Sequence, residues 1–167
     1  MGRTSDAKER LIKSAIELIH ARKYASVGVN ELCENAGVKK GSFYHFFPSK
    51  IDLTSAALDE VANWYRRDIY EPAFAKDLPP LARIQRYFQL IYEYHVSLTE
   101  AAGRMAGCHF GNLAVEMSTQ DEVIREKVKA MFESGVATFE EVLREAIAAG
   151  DLPAIDISLA AHALQAY

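Results

Sequence analysis

A single glycine inside a short aromatic stretch constrains the fold of this chain more than any other feature. The stretch runs from Val29 to Phe47, and its pattern predicts two short helices separated at Gly37. Glycine accepts a positive φ without steric cost, so it suits a tight turn between helices. The second helix opens with Lys39 and Lys40 and carries a dense aromatic cluster. This arrangement is typical of a helix-turn-helix unit.

The side chains of the stretch divide into a packing face and an outward face. We predict that the apolar residues of the stretch pack against Leu11, Ala15 and Leu18 of the preceding helix. These apolar residues are Leu32, Ala36, Val38, Phe43 and Phe47. The outward face of the second helix is predicted to carry Lys39, Lys40, Ser42, Tyr44 and His45. In a helix-turn-helix, residues at this position contact base edges in the DNA major groove. An ordinary helical hairpin with solvated lysines is the alternative interpretation.

The charge of the chain is distributed unevenly. The net charge is −4, but residues 1–50 hold nine Lys or Arg and five Asp or Glu, whereas residues 51–167 hold ten and eighteen. A basic beginning favours contact with phosphate, and an acidic remainder does not. Gly41 permits close approach to a groove, and Lys50 adds a charge at a helix start, where phosphate binds readily. Chance fluctuation on solvated helices is the alternative.

Composition narrows the class of protein. No apolar run approaches the roughly 18 residues of a membrane span, and the N-terminus lacks the apolar region of a secretory signal. Cys33 and Cys108 are too few for a disulfide framework and too far apart in sequence for a metal pair. We therefore expect a soluble cytoplasmic protein with no membrane contact, no metal and no cofactor.

Apolar residues recur at helical spacing almost throughout, which predicts an all-α fold. A capping box at Asp6–Glu9 predicts the start of the first helix, which ends near Arg22. The Pro48–Asp52 segment predicts the start of a connecting helix, which is expected to run to about Tyr70. The later helices are predicted from Leu81, in the second half of Gly103–Met117, over Val123–Ala149 with caps at Ser118–Asp121, and from Asp156.

The same signals predict two domains. Residues 1–50 are predicted to form a helix-turn-helix DNA-binding domain, and residues 71–167 a helical domain for ligand binding and dimerisation. The two are separated at Pro72 and the Asp77–Pro80 segment. The last helix, which includes Leu164 and Tyr167, stops in mid-pattern, so we expect it to be incomplete at Tyr167.

A resemblance to a known family adds to this interpretation. The segment from Asp6 to about Leu58 resembles the DNA-binding domain of the tetracycline-repressor (TetR/AcrR) family of transcriptional regulators. The resemblance is carried by Ile16–Ile19, Glu31–Val38 and Lys40–Lys50, which ends in Tyr-His-Phe-Phe-Pro-Ser-Lys. It implies an all-α homodimer that binds a palindromic double-stranded operator and responds to a small-molecule effector. Repression rather than activation follows the habit of the family.

The family pattern also implies the residues that contact DNA. They are Asn30, Lys39, Lys40, Gly41, Ser42, Tyr44, His45 and Lys50. The chain departs from the pattern at two places. Val27–Asn30 stands where the family usually has Thr or Ser, so Asn30 is expected to take over capping or phosphate contact. Cys33 replaces the usual Ala, and a small buried thiol packs similarly.

The region beyond the connecting helix supplies a candidate ligand site. We predict that its wall combines aromatic and polar residues, namely Trp64, Phe88, Tyr92, His95, Met105, Cys108, His109, Phe110 and Asn112. The Gly107–Glu116 segment resembles one that lies beside the ligand cavity in a subgroup of these regulators, with the pattern Gly-Cys-x-x-Gly-Asn-Leu-Ala. For Tyr92 and His95, hydrogen-bonded core groups are the alternative.

The Cys108–His109 pair adds a second hypothesis for the signal. An adjacent imidazolium can lower the pKa of a thiol and make it a redox or electrophile sensor. Neighbours on a helix point about 100° apart, so the two side chains need not touch. A thiol that is buried or merely lines the pocket is the alternative.

The long helix Val123–Ala149 and the helix from Asp156 are the predicted dimer surfaces. Gly135, Ala137 and Ala146 permit close approach of helices, while Met131, Phe139, Val142 and Leu164 supply apolar contact. The family implies a four-helix interface from these two helices of each subunit. Packing inside one subunit is the alternative.

The sequence disfavours two other classes of protein. An enzyme is disfavoured, because the chain has no phosphate-binding glycine loop, His-Glu-x-x-His or Gly-x-Ser-x-Gly motif. A helical interaction module without DNA binding is disfavoured by the retained Lys39, Lys40, Tyr44 and Lys50.

Overall fold

The structure is a computed structural model that describes residues 2–105 and 107–166, with side chains from Asp6 onward. Within these ranges the chain is helical and contains no strand, so the all-α prediction is confirmed. A 3-10 turn covers Tyr24–Ser26 and a π-helical turn covers Arg66–Tyr70. The α-helices are α1 (Gly2–Ala21), α2 (Val29–Ala36), α3 (Lys40–Phe46), α4 (Lys50–Tyr65), α5 (Glu71–Phe74), α6 (Pro80–Ala102), α7 (His109–Met117), α8 (Glu122–Ala149) and α9 (Ile157–Ala166).

The chain divides into two compact units. The first contains Met1–Asn63 and Ala106–Val128, and the second contains Trp64–Met105 and Lys129–Tyr167. Among the described helices, none is both long enough and apolar enough to cross a membrane.

The core of the first unit is built by α1, α2, α3, the beginning of α4 and α7. Each contributes a buried apolar side chain, such as Leu11, Leu32, Phe43, Leu53 and Phe110 in that order. The predicted packing face of the helix-turn-helix is buried, except that Leu18 and Val38 are half-buried.

The turn between α2 and α3 has the geometry that the glycine predicted. Gly37 has φ of 60°, in the left-handed region. The Val38 N–H donates to Cys33 O at 2.9 Å and the Gly37 N–H to Glu34 O at 3.1 Å. These two bonds form a Schellman motif, which satisfies the last carbonyls of α2.

The core of the second unit is an aromatic cluster. Its members contact one another with ring centroids 5.2 to 6.1 Å apart. They come from the π-helical turn, α5, α6 and α8, and they are Tyr70, Phe74, Tyr87, Phe88 and Phe139. Edge-to-face and offset aromatic pairs contribute about 0.5–1.5 kcal/mol each beyond their buried area.

Several helix caps lie where the sequence predicted them. The Asp52 N–H donates to Ser49 Oγ at 3.2 Å, the Ile124 N–H to Asp121 Oδ1 at 3.0 Å, and the Leu159 N–H to Asp156 Oδ1 at 3.0 Å. Gly150 follows α8 with φ of 82°. Tyr167, which the sequence predicts to belong to the last helix, lies outside the described residues.

Two boundary predictions were wrong. The first helix begins at Gly2, four residues before the predicted cap, and Asp6 instead pairs with Arg10 one turn later. The helical path does not end near Tyr70, because α5 continues to Phe74 with Pro72 in its first turn. Proline lacks an N–H and disturbs the preceding turn of a helix, and here the π-helical turn at Arg66–Tyr70 accommodates it.

Candidate functional site

The outward face of α3 is exposed as predicted from its pattern. Phe43 and Phe47 are buried, whereas the Tyr44 side chain between them is 52% exposed. The other predicted DNA contacts that are exposed are Asn30, Lys39, Lys40, Gly41, Ser42 and His45. The buried rings fix the orientation of α3 in the first unit, so its polar face is presented to solvent as one surface.

Polar contacts fix α2 against α1. The Ser14 hydroxyl is buried and donates to Leu32 O at 3.0 Å, and the Asn35 amide donates to Ser14 Oγ at 3.1 Å. Arg22 at the end of α1 pairs with Glu31 in the first turn of α2. These hydrogen bonds fix the rotation and position of α2 on α1, because a hydrogen bond is lost when a helix slides or rotates.

Lys50 is held by the connection between α1 and α2. Its Nζ donates to Tyr24 O and Val27 O, both at 2.9 Å, and lies 3.7 Å from the centroid of the Tyr24 ring. Burial lowers the pKa of Lys50, and the Glu116 carboxylate opposes that shift. An ammonium has three N–H donors, and two are used here.

Glu116 binds N–H groups of the same connection, whereas Lys50 binds its carbonyl groups. Its carboxylate accepts from the Tyr24 N–H at 2.7 Å and from the Ala25 N–H at 2.8 Å. The pKa of the Tyr24 hydroxyl is raised by burial first and then by the Asp121 and Glu116 carboxylates. The connection therefore lies between a cation and an anion that come from α4 and α7.

The start of α7 contacts the end of α1. The His20 and His109 rings stack with centroids 3.5 Å apart, and His20 Nε2 lies 2.7 Å from Gly107 O. A carbonyl oxygen only accepts, so His20 Nε2 is the donor in this contact. Cys108 is the N-cap residue of α7 and is half-buried. The predicted site residues Cys108, His109, Phe110 and Asn112 are thus neighbours on one helix of the first unit.

The remaining predicted ligand residues belong to the second unit. Tyr94 contacts both Trp64, at 4.4 Å between ring centroids, and His95, at 5.4 Å. Phe88 stacks on Phe139 at 6.1 Å, within the aromatic cluster. Tyr92 and Met105 are 65% and 77% exposed, so these two side chains face solvent in this unit.

Sequence reasoning missed four residues of these sites. Glu116, His20 and Tyr24 act through contacts that are 26 to 92 residues apart in sequence. Tyr94 lies one residue before the His95 of the predicted apolar stripe, on a different face of α6. The only sequence signal for Glu116 was its place at the end of the Gly107–Glu116 segment.

A helix-turn-helix whose second helix presents an exposed polar and aromatic face defines a protein of the DNA-binding class. Comparison with known proteins agrees. Residues 11–57 match the family described as "Bacterial regulatory proteins, tetR family", and residues 80–167 match the "Tetracyclin repressor-like, C-terminal domain". The chain belongs to the TetR family, whose members are transcriptional regulators and not enzymes.

Individual relatives are similar along most of the chain. It is 31% identical over 148 residues to the transcriptional regulator AcuR of Cereibacter sphaeroides, covering 89% of this chain and 66% of that protein. It is 30% identical to the transcriptional repressor DhaR of a Mycobacterium species, covering 91% and 72%. A crystal structure of a regulatory protein TetR from Rhodobacter sphaeroides superposes with a TM-score of 0.83 at 32% identity, covering 94% of this chain and 82% of that one. The chain thus spans just under two thirds of the length of the first relative.

Proposed function

We propose that this chain is a ligand-responsive transcriptional repressor that binds a palindromic operator as a homodimer. A small-molecule or electrophile effector releases it from the operator. The observation that carries the proposal is the exposed face of α3, because the buried Phe43 and Phe47 leave Tyr44 and the lysines directed outward. The TetR family binds DNA operators, typically as dimers with small-molecule effectors, which supports it. A regulator that binds DNA acts where DNA lies, so a cytoplasmic location is part of the proposal.

The proposed roles follow the order of the chain. Residues 1–50 bind DNA through Asn30, Lys39, Lys40, Gly41, Ser42, Tyr44, His45 and Lys50. The connecting helix of about residues 50–70 joins them to residues 71–167, which bind ligand and dimerise. Half-sites of a palindrome lie about one helical turn of DNA apart, roughly 34 Å. A small change in the separation of the two α3 helices therefore suffices to spoil binding.

Selection from a random DNA pool tests DNA binding. We expect the wild-type protein to enrich one palindromic sequence and to bind it with strong salt dependence, since phosphate contacts release counterions. Lys40→Gln should reduce the slope of log affinity against log salt by about one if Lys40 contacts phosphate. Lys129→Gln, an exposed lysine on α8, is the matched control. Failure to enrich any sequence would favour a helical interaction module without DNA binding.

Dimerisation is proposed to use α8 and α9. Leu159 on α9 is 69% exposed, which supports an apolar contact with a second subunit. Gly135 of α8 instead packs within the subunit, because an added Cβ would lie 2.8 Å from Gln165 Cδ of α9 and 2.9 Å from Tyr70 Oη. Leu159→Glu should convert a dimer into a monomer in sedimentation, and an unchanged mass would exclude this surface.

The effector is proposed to bind the residues that the sequence indicated, namely Trp64, Phe88, Tyr92, His95, Met105, Cys108, His109, Phe110 and Asn112. Membership of a subgroup with the Gly-Cys-x-x-Gly-Asn-Leu-Ala segment belongs to the same proposal. The ligand site is supported by the contact of this segment with α1, because a ligand that displaces His109 also disturbs the His20 ring stacked on it. A ligand that saturates the protein without changing operator affinity is not the effector.

A thiol sensor is the second candidate. It is favoured by the position of Cys108, which is half-buried at the first turn of α7 and next to the His109 that contacts α1. Cys33 is buried and burial raises its pKa, so it reacts slowly and serves as an internal control. Alkylation with N-ethylmaleimide should release operator from the wild type and not from Cys108→Ser. Equal release from both would exclude the sensor.

A further inference from the structure

We infer that Glu116 is a positioning residue for DNA recognition: it fixes the connection between α1 and α2 and thereby the orientation of α2 and α3. The inference rests on the proposed function and adds a residue outside the DNA-binding surface. It begins with a geometric fact, which is that the Glu116 carboxylate bonds to two consecutive backbone amides 91 and 92 residues away in sequence.

Those amides have no local partner to replace Glu116. Tyr24 and Ala25 begin a 3-10 turn, and the first N–H groups of a helical turn have no acceptor within it. Such groups are usually capped by a nearby Ser, Thr, Asp or Asn. Here the N-cap residue is Lys23, whose side chain makes no capping hydrogen bond. The cap comes instead from α7.

The carbonyl side of the same connection is fixed as well. Lys50 Nζ donates to Tyr24 O and Val27 O, and the Val27 side chain is fully buried. Val27 lies two residues before α2, whose first intrahelical bond runs from the Leu32 N–H to Gly28 O at 3.1 Å. The entry of the chain into the helix-turn-helix is therefore bonded on its N–H groups by Glu116 and on its C=O groups by Lys50.

Glu116 lies on α7, which is packed into the core of the first unit. Phe110, Leu113 and Met117 of α7 are buried, so α7 does not shift without disturbing the core of the first unit. A displacement of α7 moves the carboxylate, and the Tyr24 and Ala25 amides either follow it or lose their bonds. Because α2 and α3 share one buried core with α1, a displaced entry reorients the outward face of α3.

Two substitutions separate position from charge. In Glu116→Gln one acceptor oxygen remains, so only one of the two amides keeps its bond. In Glu116→Asp the charge is kept but the carboxylate withdraws by one methylene, which also breaks the two-amide contact. Glu60→Gln removes one negative charge at an exposed position of the same unit and is the matched control.

The measurement is the ratio of two affinities at one salt concentration. One probe is a duplex that the wild-type protein enriched from a random pool, and the other is the same duplex with its base order scrambled. A change in charge shifts both affinities together, whereas a misplaced α3 lowers only the specific one. We expect both Glu116 variants to lower the ratio by about tenfold, while Glu60→Gln leaves it at the wild-type value.

The folding of each variant is monitored, so that a lower affinity ratio reports a misplaced α3 and not an unfolded protein. Affinities are measured at a temperature at which circular dichroism shows each variant to be folded, and hydrogen exchange at the Tyr24 and Ala25 amides reports whether the bonds are lost. Faster exchange with a ratio within twofold of wild type would overturn the inference and make Glu116 a stabilising cap only. A wild-type protein that binds both duplexes equally would instead overturn the proposed function.

Discussion

At the scale of single residues, Lys50 shows how one side chain serves both fold and function. Its sequence position at a helix start predicted a phosphate contact, and its Nζ also donates to Tyr24 O and Val27 O. Lys50→Met should destabilise the protein by about 1–3 kcal/mol in urea unfolding, since two carbonyls lose a charged donor. Because one N–H remains for phosphate, the slope of log affinity against log salt should also fall by about one. An unchanged slope would restrict Lys50 to the intramolecular role.

Residue types on the surface of α3 were predictable, and the partners of Lys50 were not. The outward positions follow from the helical period and from the buried Phe43 and Phe47. Glu116 and His20, by contrast, act on groups far away in sequence, and no periodicity encodes such pairs. The sequence shows the chemical type of these residues, but only the fold shows which groups they contact.

At the scale of elements, two glycines of the helix-turn-helix are predicted to respond in opposite ways. Gly37 has φ of 60°, and an added Cβ would lie 3.3 Å from Arg10 Nη1. Gly37→Ala should therefore lose about 1–2 kcal/mol of unfolding free energy. Gly41 lies in α3 with no atom within 4 Å of an added Cβ. Gly41→Ala should gain up to about 1 kcal/mol from helix propensity.

DNA binding distinguishes the two substitutions further. If α3 enters the groove at Gly41, the added methyl group should weaken operator affinity although the protein becomes more stable. Urea unfolding and operator titration of both variants check this pair. A Gly41→Ala variant with unchanged affinity would place Gly41 outside the DNA contact.

Helix existence was predictable from the sequence, while helix continuity at a proline was not. The caps at Ser49, Asp121 and Asp156 follow local rules, because one side chain bonds an amide three residues later. Pro72 misled because a proline in the first turn of a helix is tolerated and a preceding π-helical turn removes the steric conflict. That turn has no signal in the pattern of apolar residues.

At the scale of the whole molecule, the chain is built of two units that are not contiguous in sequence. Residues 106–128 belong with residues 1–63 because α7 buries Phe110, Leu113 and Met117 there. An amphipathic helix shows in sequence that it has a buried face, but not which neighbour covers it. The family resemblance from Asp6 to about Leu58 did not reach α7, and the resemblance of the Gly107–Glu116 segment placed it only beside a ligand cavity.

One ion-pair cluster of the second unit contributes to the stability of the molecule in acid. Arg83 on α6 is only 3% exposed and donates to Glu145 on α8, and Lys76 Nζ lies 3.0 Å from the same carboxylate. The pKa of Glu145 lies below its usual 4.5. The largest cause is the hydrogen bond from Arg83, and the next is the hydrogen bond from Lys76. The unfolded chain therefore binds more protons than the folded chain between the lowered pKa and 4.5.

The sign of the effect follows from this difference. The contribution of Glu145 to stability is fully present above pH 4.5 and is lost as the pH falls through the lowered pKa. In Glu145→Gln this pH-dependent contribution is absent, and the buried Arg83 guanidinium loses its counter-charge. We expect the variant to unfold at a lower temperature than the wild type at pH 7, and the gap to narrow as the pH is lowered below 4.5. Thermal unfolding from pH 7 to pH 3 measures the gap, with Glu133→Gln, an exposed carboxylate on α8, as control. A gap that stays constant over this range would show that Glu145 does not titrate differently in the folded protein.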